Sequence, residues 1–116
     1  MSHSIVRDKA IKFALRVVRL HKYLTEERHE FILSKQALIS GTFIAKHVIE
    51  ATQGESRQTF SNEMFVAKKR ASETEFWLML LHEGGFMDDR KYESINTDCV
   101  ELFKMTSSIA KTTKAE

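Results

Sequence analysis

The chain has 116 residues, 42% of them apolar and 29% charged, with a net charge of +2. That length suits one domain with a single core, 1–116, and the composition excludes a disordered chain. The lone cysteine, Cys99, excludes an internal disulfide framework, and no apolar run reaches the ~20 residues of a membrane span.

Proline is absent and glycine is scarce, so long uninterrupted helices are expected. The first is predicted from about Ser4 to Leu24. Val6, Ala10, Phe13, Val17, Leu20 and Leu24 alternate spacings of four and three, which puts them on one helical stripe. Residues 25–29 are polar and read as a loop. The second helix is predicted from about Glu30 to Thr52, with Ala37, Gly41, Ile44, Val48 and Ala51 as its stripe and Gly54 as a left-handed cap. The third runs from about Ser56, a good N-cap, to Glu83, with Phe60, Met64, Ala67, Ala71, Thr74, Leu78 and Leu81 inward. Gly84 and Gly85 end it. Asp88 or Asp89 caps the fourth, whose stripe is Tyr92, Ile95, Cys99, Leu102, Thr106 and Ile109 and which is expected to end near Ala110 in a frayed tail. Short loops between long helices predict an all-α, antiparallel up-down-up-down four-helix bundle.

Two helices carry more apolar residues than a monomeric core requires. Ile32, Ile39 and Phe43 on the second, and Phe65, Phe76 and Leu80 on the third, point away from their stripes. Exposed apolar groups cost about 25 cal/mol per Å² in water, so such a face marks an interface, most simply with further copies of the chain. The alternative is an irregular bundle that swallows these groups.

Charge is uneven. Residues 1–24 hold six basic side chains against one acidic, and the remainder 12 basic against 15 acidic. Lys9, Lys12, Arg16 and Arg19 form a stripe beside the first helix's core face, and Lys68, Lys69 and Arg70 cluster on the third. Such groups suit nucleic-acid phosphates. They equally suit pairing with acids of a neighbouring helix such as Glu93 or Glu101, and only Tyr23 lies near enough for base stacking.

Catalytic patterns are not apparent. A bundle di-iron site needs paired Glu-x-x-His motifs, and the one example, Glu26 with His29, falls in a loop. His47 and Glu50 have the reverse order on an outer face, and His82 stands near a helix end. Cys99 occupies a core position, where an inert thiol is expected. Glu73 and Glu75 are two apart and do not face each other. No glycine-rich phosphate loop is present. A non-enzyme without metal or cofactor, soluble and cytoplasmic, is expected.

The segment Ser40-Gly41-Thr42-Phe43-Ile44-Ala45-Lys46-His47-Val48-Ile49-Glu50-Ala51 resembles the second-helix signature SGTSIGANVxEA of the four-helix proteins encoded within intervening sequences of 23S ribosomal RNA genes, also labelled S23 ribosomal proteins. Ser56-Arg57, Phe60 and Ala71-Ser72-Glu73-Thr74-Glu75-Phe76-Trp77-Leu78 with Leu80-Leu81 resemble its third helix, and Arg16-Val17-Val18 its first. The resemblance implies a four-helix bundle assembled as a closed ring, in relatives a homopentamer. It also implies kinship with accessory proteins of diversity-generating retroelements, basic pentamers that engage a reverse transcriptase and nucleic acid. It does not imply ribosome membership. Phe43, Ala45, Lys46 and His47 depart from the pattern, whereas Glu50, Arg57 and Glu73 match it and are expected to be assembly or structural residues. Two functions remain open: an oligomeric adaptor for RNA, DNA or a nucleic-acid-processing protein, and a purely protein-binding scaffold.

Overall fold

The computed structural model describes residues 2–115, with side chains from 3 to 113. Four helices, α1 (Ser2–Glu26), α2 (Leu33–Thr52), α3 (Arg57–Glu83) and α4 (Asp89–Ala115), form a bundle of 45 × 20 × 19 Å. No strand occurs among the described residues. Each helix packs on its two neighbours around the bundle, α1–α2, α2–α3, α3–α4 and α4–α1, while across the α1–α3 diagonal the His3 and Phe60 rings meet at 4.6 Å. The chain is therefore an antiparallel up-down-up-down bundle, and α1–α4 is its loosest seam.

The α1 stripe from Val6 to Leu24 is buried throughout, as are Ala37, Gly41, Ile44, Val48 and Ala51 of α2. Met64, Ala67, Ala71, Thr74, Leu78 and Leu81 close the core from α3, and Ile95, Cys99, Leu102 and Thr106 from α4. The α1–α2 crossing is close because Gly41 has no side chain. A Cβ there would lie 2.9 Å from Val17 Cγ2, and Val17 is buried and β-branched, with one strongly preferred rotamer in a helix. Gly41→Leu is expected to cost roughly 2–3 kcal/mol of stability through overpacking, read as a lower denaturant midpoint.

The helix ends depart from the sequence expectation. α2 begins at Leu33 rather than Glu30. Glu30 is instead a cap: its carboxylate accepts from the backbone N–H groups of Ile32 (3.2 Å), Leu33 (2.9 Å) and Ser34 (2.7 Å), donors that a helix start leaves unpaired. His29 takes the left-handed conformation (φ 55°), and Glu30 N–H reaches back to Leu24 O at 2.9 Å, so a histidine closes α1 where glycine is usual. Gly54 is not left-handed, a conformation that Gly85 adopts instead (φ 88°). Gly54 is required by space: a Cβ would lie 2.9 Å from Thr59 Cγ2. Ser56 and Asp88 do cap α3 and α4, accepting from Thr59 N–H (3.0 Å) and Lys91 N–H (2.8 Å). The tail expected to fray continues as helix to Ala115; Glu116 lies outside the described residues.

Candidate nucleic-acid interface

The basic stripe of α1 divides. Lys9 pairs with Glu101 at 3.2 Å, and Arg16 binds Asp98 at 2.6 Å while donating to Ser94 Oγ at 2.9 Å. These contacts bridge the loose α1–α4 seam, so two of the four cations are engaged by acids of α4. Asp98 and Glu101 are the acidic partners; Glu93 is not. Lys12 and Arg19 are exposed and make no ion pair among the described residues.

Around Arg19 the seam opens into a shallow cleft of about 380 Å³ lined by Arg16, Tyr23, Arg90, Lys91 and Ser94. Arg90 and Lys91 stand in the first turn of α4, and Lys91 Nζ sits 4.8 Å from the centroid of the Tyr23 ring. Three cations with no carboxylate partner among the described residues thus line one cleft with Tyr23, whose ring Lys91 covers. Arg90 and Lys91 escaped the sequence reading because only the antiparallel return of α4 brings them beside α1.

The second predicted cluster is not part of this surface. α3 lies diagonally across from α1, and its three cations diverge. Lys68 approaches the Phe65 and Phe103 rings (5.4 and 5.9 Å), and Lys69 approaches Phe65 (5.6 Å). Arg70 turns the other way, pairing with Glu73 at 3.1 Å and covering Phe43 at 5.0 Å. Glu75 points away from Glu73, and partial burial raises its carboxyl above the usual range.

The predicted outer apolar face is also redistributed. Ile32, Ile39, Phe65 and Phe76 are exposed, Ile32 most of all at 74%. Phe43, His47, Glu50 and Leu80 are half-buried. Ile39 and Phe76 line one α2–α3 groove, with the Trp77 ring edge-on to Phe76 at 5.0 Å. Phe65 lies roughly 16 Å along the axis, at 1.5 Å per residue, and lines an α3–α4 groove with Lys68 and Ser107. A further apolar surface was missed: Ile5, Leu15 and Val18 of α1 are about half exposed. Leu15 and Val18 are three apart and share a face, a spacing visible in the sequence once the core stripe is removed.

His47 meets α3 rather than solvent. Its Nδ1 is 2.7 Å from Glu63 Oε1 and 3.5 Å from Glu50 Oε1. Lys46 holds the other Glu50 oxygen at 2.9 Å, and this hydrogen bond keeps the Glu50 carboxyl below its ordinary pKa. At the end of α3, His82 bonds Asp89 at 2.7 Å and stacks on Tyr92 at 4.2 Å.

Cys99 is fully buried with Sγ 3.4 Å from Ala71 O, and burial pushes its thiol pKa far up, with the Glu75 and Asp98 charges adding to it. A disulfide reagent is expected to find no reactive thiol in the folded protein and one per chain in denaturant; rapid labelling without denaturant would contradict this burial. No helix among the described residues is long and apolar enough to cross a membrane.

Comparison with known proteins places these features. No curated protein matches this chain. A crystal structure of a protein of unknown function from the S23 ribosomal protein family of Bacteroides thetaiotaomicron is similar, at 45% identity and a TM-score of 0.93, covering 96% of this chain and 99% of that one. The family described as 23S rRNA-intervening sequence protein matches residues 2–108. With a match over nearly the whole chain, the protein belongs to the 23S rRNA-intervening sequence protein family.

Proposed function

We propose that this protein is a non-enzymatic, self-assembling bundle that binds RNA through the α1–α4 cleft. The carrying observation is the convergence of Arg19, Arg90 and Lys91 around Tyr23, cations with no ion pair among the described residues beside a ring that Lys91 now covers and on which a base would stack in its place. One cleft with three cations binds weakly. Repetition around a ring multiplies the contacts at high effective concentration, which makes assembly part of the function.

The apolar surfaces support a head-to-tail ring, a pentamer by the family resemblance. A twofold dimer uses one patch on both copies, whereas a ring needs two different, complementary patches. Here α1 presents Leu15 and Val18, while the α2–α3 groove presents Ile39 and Phe76 in another direction. The competing reading, a scaffold indifferent to nucleic acid, draws support from the internal pairing of Lys9 and Arg16.

The mass in solution and the binding of a structured RNA across a salt series separate the two. The proposal expects a mass of several chains and an affinity that falls steeply between about 50 and 200 mM salt. A multimer with no RNA affinity at the lowest salt leaves the scaffold. A single-chain mass removes both.

A further inference from the structure

We infer that His47, Glu50 and Glu63 form a binding site for a zinc-class divalent cation on the α2–α3 seam. His47 and Glu50 are three residues apart on α2, so their side chains share a face. Glu63 comes from the opposing α3. One ligand atom from each, the His47 Nδ1 and a carboxylate oxygen from each glutamate, lies within 4.8 Å of the other two. Tetrahedral coordination with bonds near 2.0–2.2 Å separates ligand atoms by roughly 3.4 Å, so closure on a metal needs only small rotamer shifts. The Nδ1–Glu50 distance of 3.5 Å already meets this, and the Glu63 oxygen at 2.7 Å has to withdraw slightly.

Three features favour a metal over simple pairing. Carboxylates from two different helices converge on one imidazole, which gives a mixed nitrogen and oxygen donor set. Lys46 engages Glu50 through Oε2 while Oε1 faces His47, so one lone-pair set is oriented toward the cluster and the charge behind it is partly balanced. The His47 side chain is only 16% exposed, and a partly dehydrated site strengthens the ion's attraction to its ligands. The nitrogen donor and the small ligand number fit zinc rather than calcium or magnesium, which take more oxygen ligands. Without a metal Nδ1 donates its proton to the Glu63 carboxylate, so binding displaces that proton and leaves the neutral ring protonated on Nε2. Three protein ligands leave a fourth position for water or for a donor from a partner. The ion would cross-link α2 to α3 one turn from Phe43.

The test is calorimetric titration of chelator-treated protein with Zn²⁺ alone. One ion per chain is expected, with at least tenfold weaker binding for His47→Asn and for Glu63→Gln, both checked for native helicity. His82→Ala, at a two-ligand His–Asp pair, is expected to leave the affinity unchanged. Zinc-edge X-ray absorption of the wild-type protein gives a readout that does not depend on variants folding: one imidazole and otherwise oxygen donors are expected. Failure of the wild type to saturate with zinc overturns the site. So does binding that both variants retain, or a metal shell holding two imidazoles or none.

Discussion

Changing Ile39 and Phe76 together to glutamate is expected to dissociate the assembly into single folded chains. Both side chains lie in the exposed α2–α3 groove and neither belongs to the core, so helicity should persist. Ile39 is 36% and Phe76 48% exposed, so covering what remains is worth about 0.5–1.5 kcal/mol each, and each 1.4 kcal/mol is a tenfold change in affinity. Losing both therefore weakens each contact by roughly ten- to a hundredfold, before the further cost of burying two carboxylates. Sedimentation or light scattering gives the mass and circular dichroism the helicity. Phe65→Glu is the poorer probe, because Phe65 faces a different groove and two lysines cover its ring.

The geometry of the contact has its own signature. If α1 of one copy meets the α2–α3 groove of the next, Leu15→Glu should also give single chains. Each variant then keeps the face that the other has lost. Mixing them restores one good contact per pair, so two-chain particles should form and growth should stop there. An interface that uses the same patch on both copies gives no such recovery, and the head-to-tail reading would be withdrawn.

The sequence and the structure part company in an instructive way. The core stripes from Val6 to Leu24 and from Ala37 to Ala51 were readable because burial imposes a helical period on residue type. Ser56 was readable because capping chemistry is local. Glu30 was not, since its role depends on His29 turning left-handed and on the chain doubling back. The basic stripe was visible as a stripe, but which members were free was not. Lys9 and Arg16 find Glu101 and Asp98 more than eighty residues away, across a seam that only the bundle creates. The same holds for Arg90 and Lys91 beside Tyr23, and for Glu63 beside His47. Phe65 and Phe76 mislead for a related reason: eleven residues bring a helix back to nearly the same angle, yet they face different neighbours at different heights along the bundle.

That division of the stripe changes which substitutions test RNA binding. Arg16 is a poor choice, because its removal strips Asp98 and Ser94 of their partner and opens the seam. Arg19→Glu with Arg90→Glu is the clean pair: both side chains are exposed and neither makes an ion pair among the described residues. Each lost phosphate contact should lower the slope of log affinity against log salt by about 0.7–0.9. The double reversal should weaken binding by roughly a hundredfold at low salt, at about 1.4 kcal/mol for each site, with the mass unchanged. Lys69→Glu reverses a charge on the opposite helix and should have a much smaller effect in a single bundle. Equal losses from Lys69→Glu and from the α1–α4 pair would mean that RNA responds to net charge alone, and the cleft would lose its place as the binding surface. A loss confined to Arg19 and Arg90, with assembly intact, ties the RNA to the one seam where α1 and α4 separate enough to leave three cations and an aromatic ring facing outward.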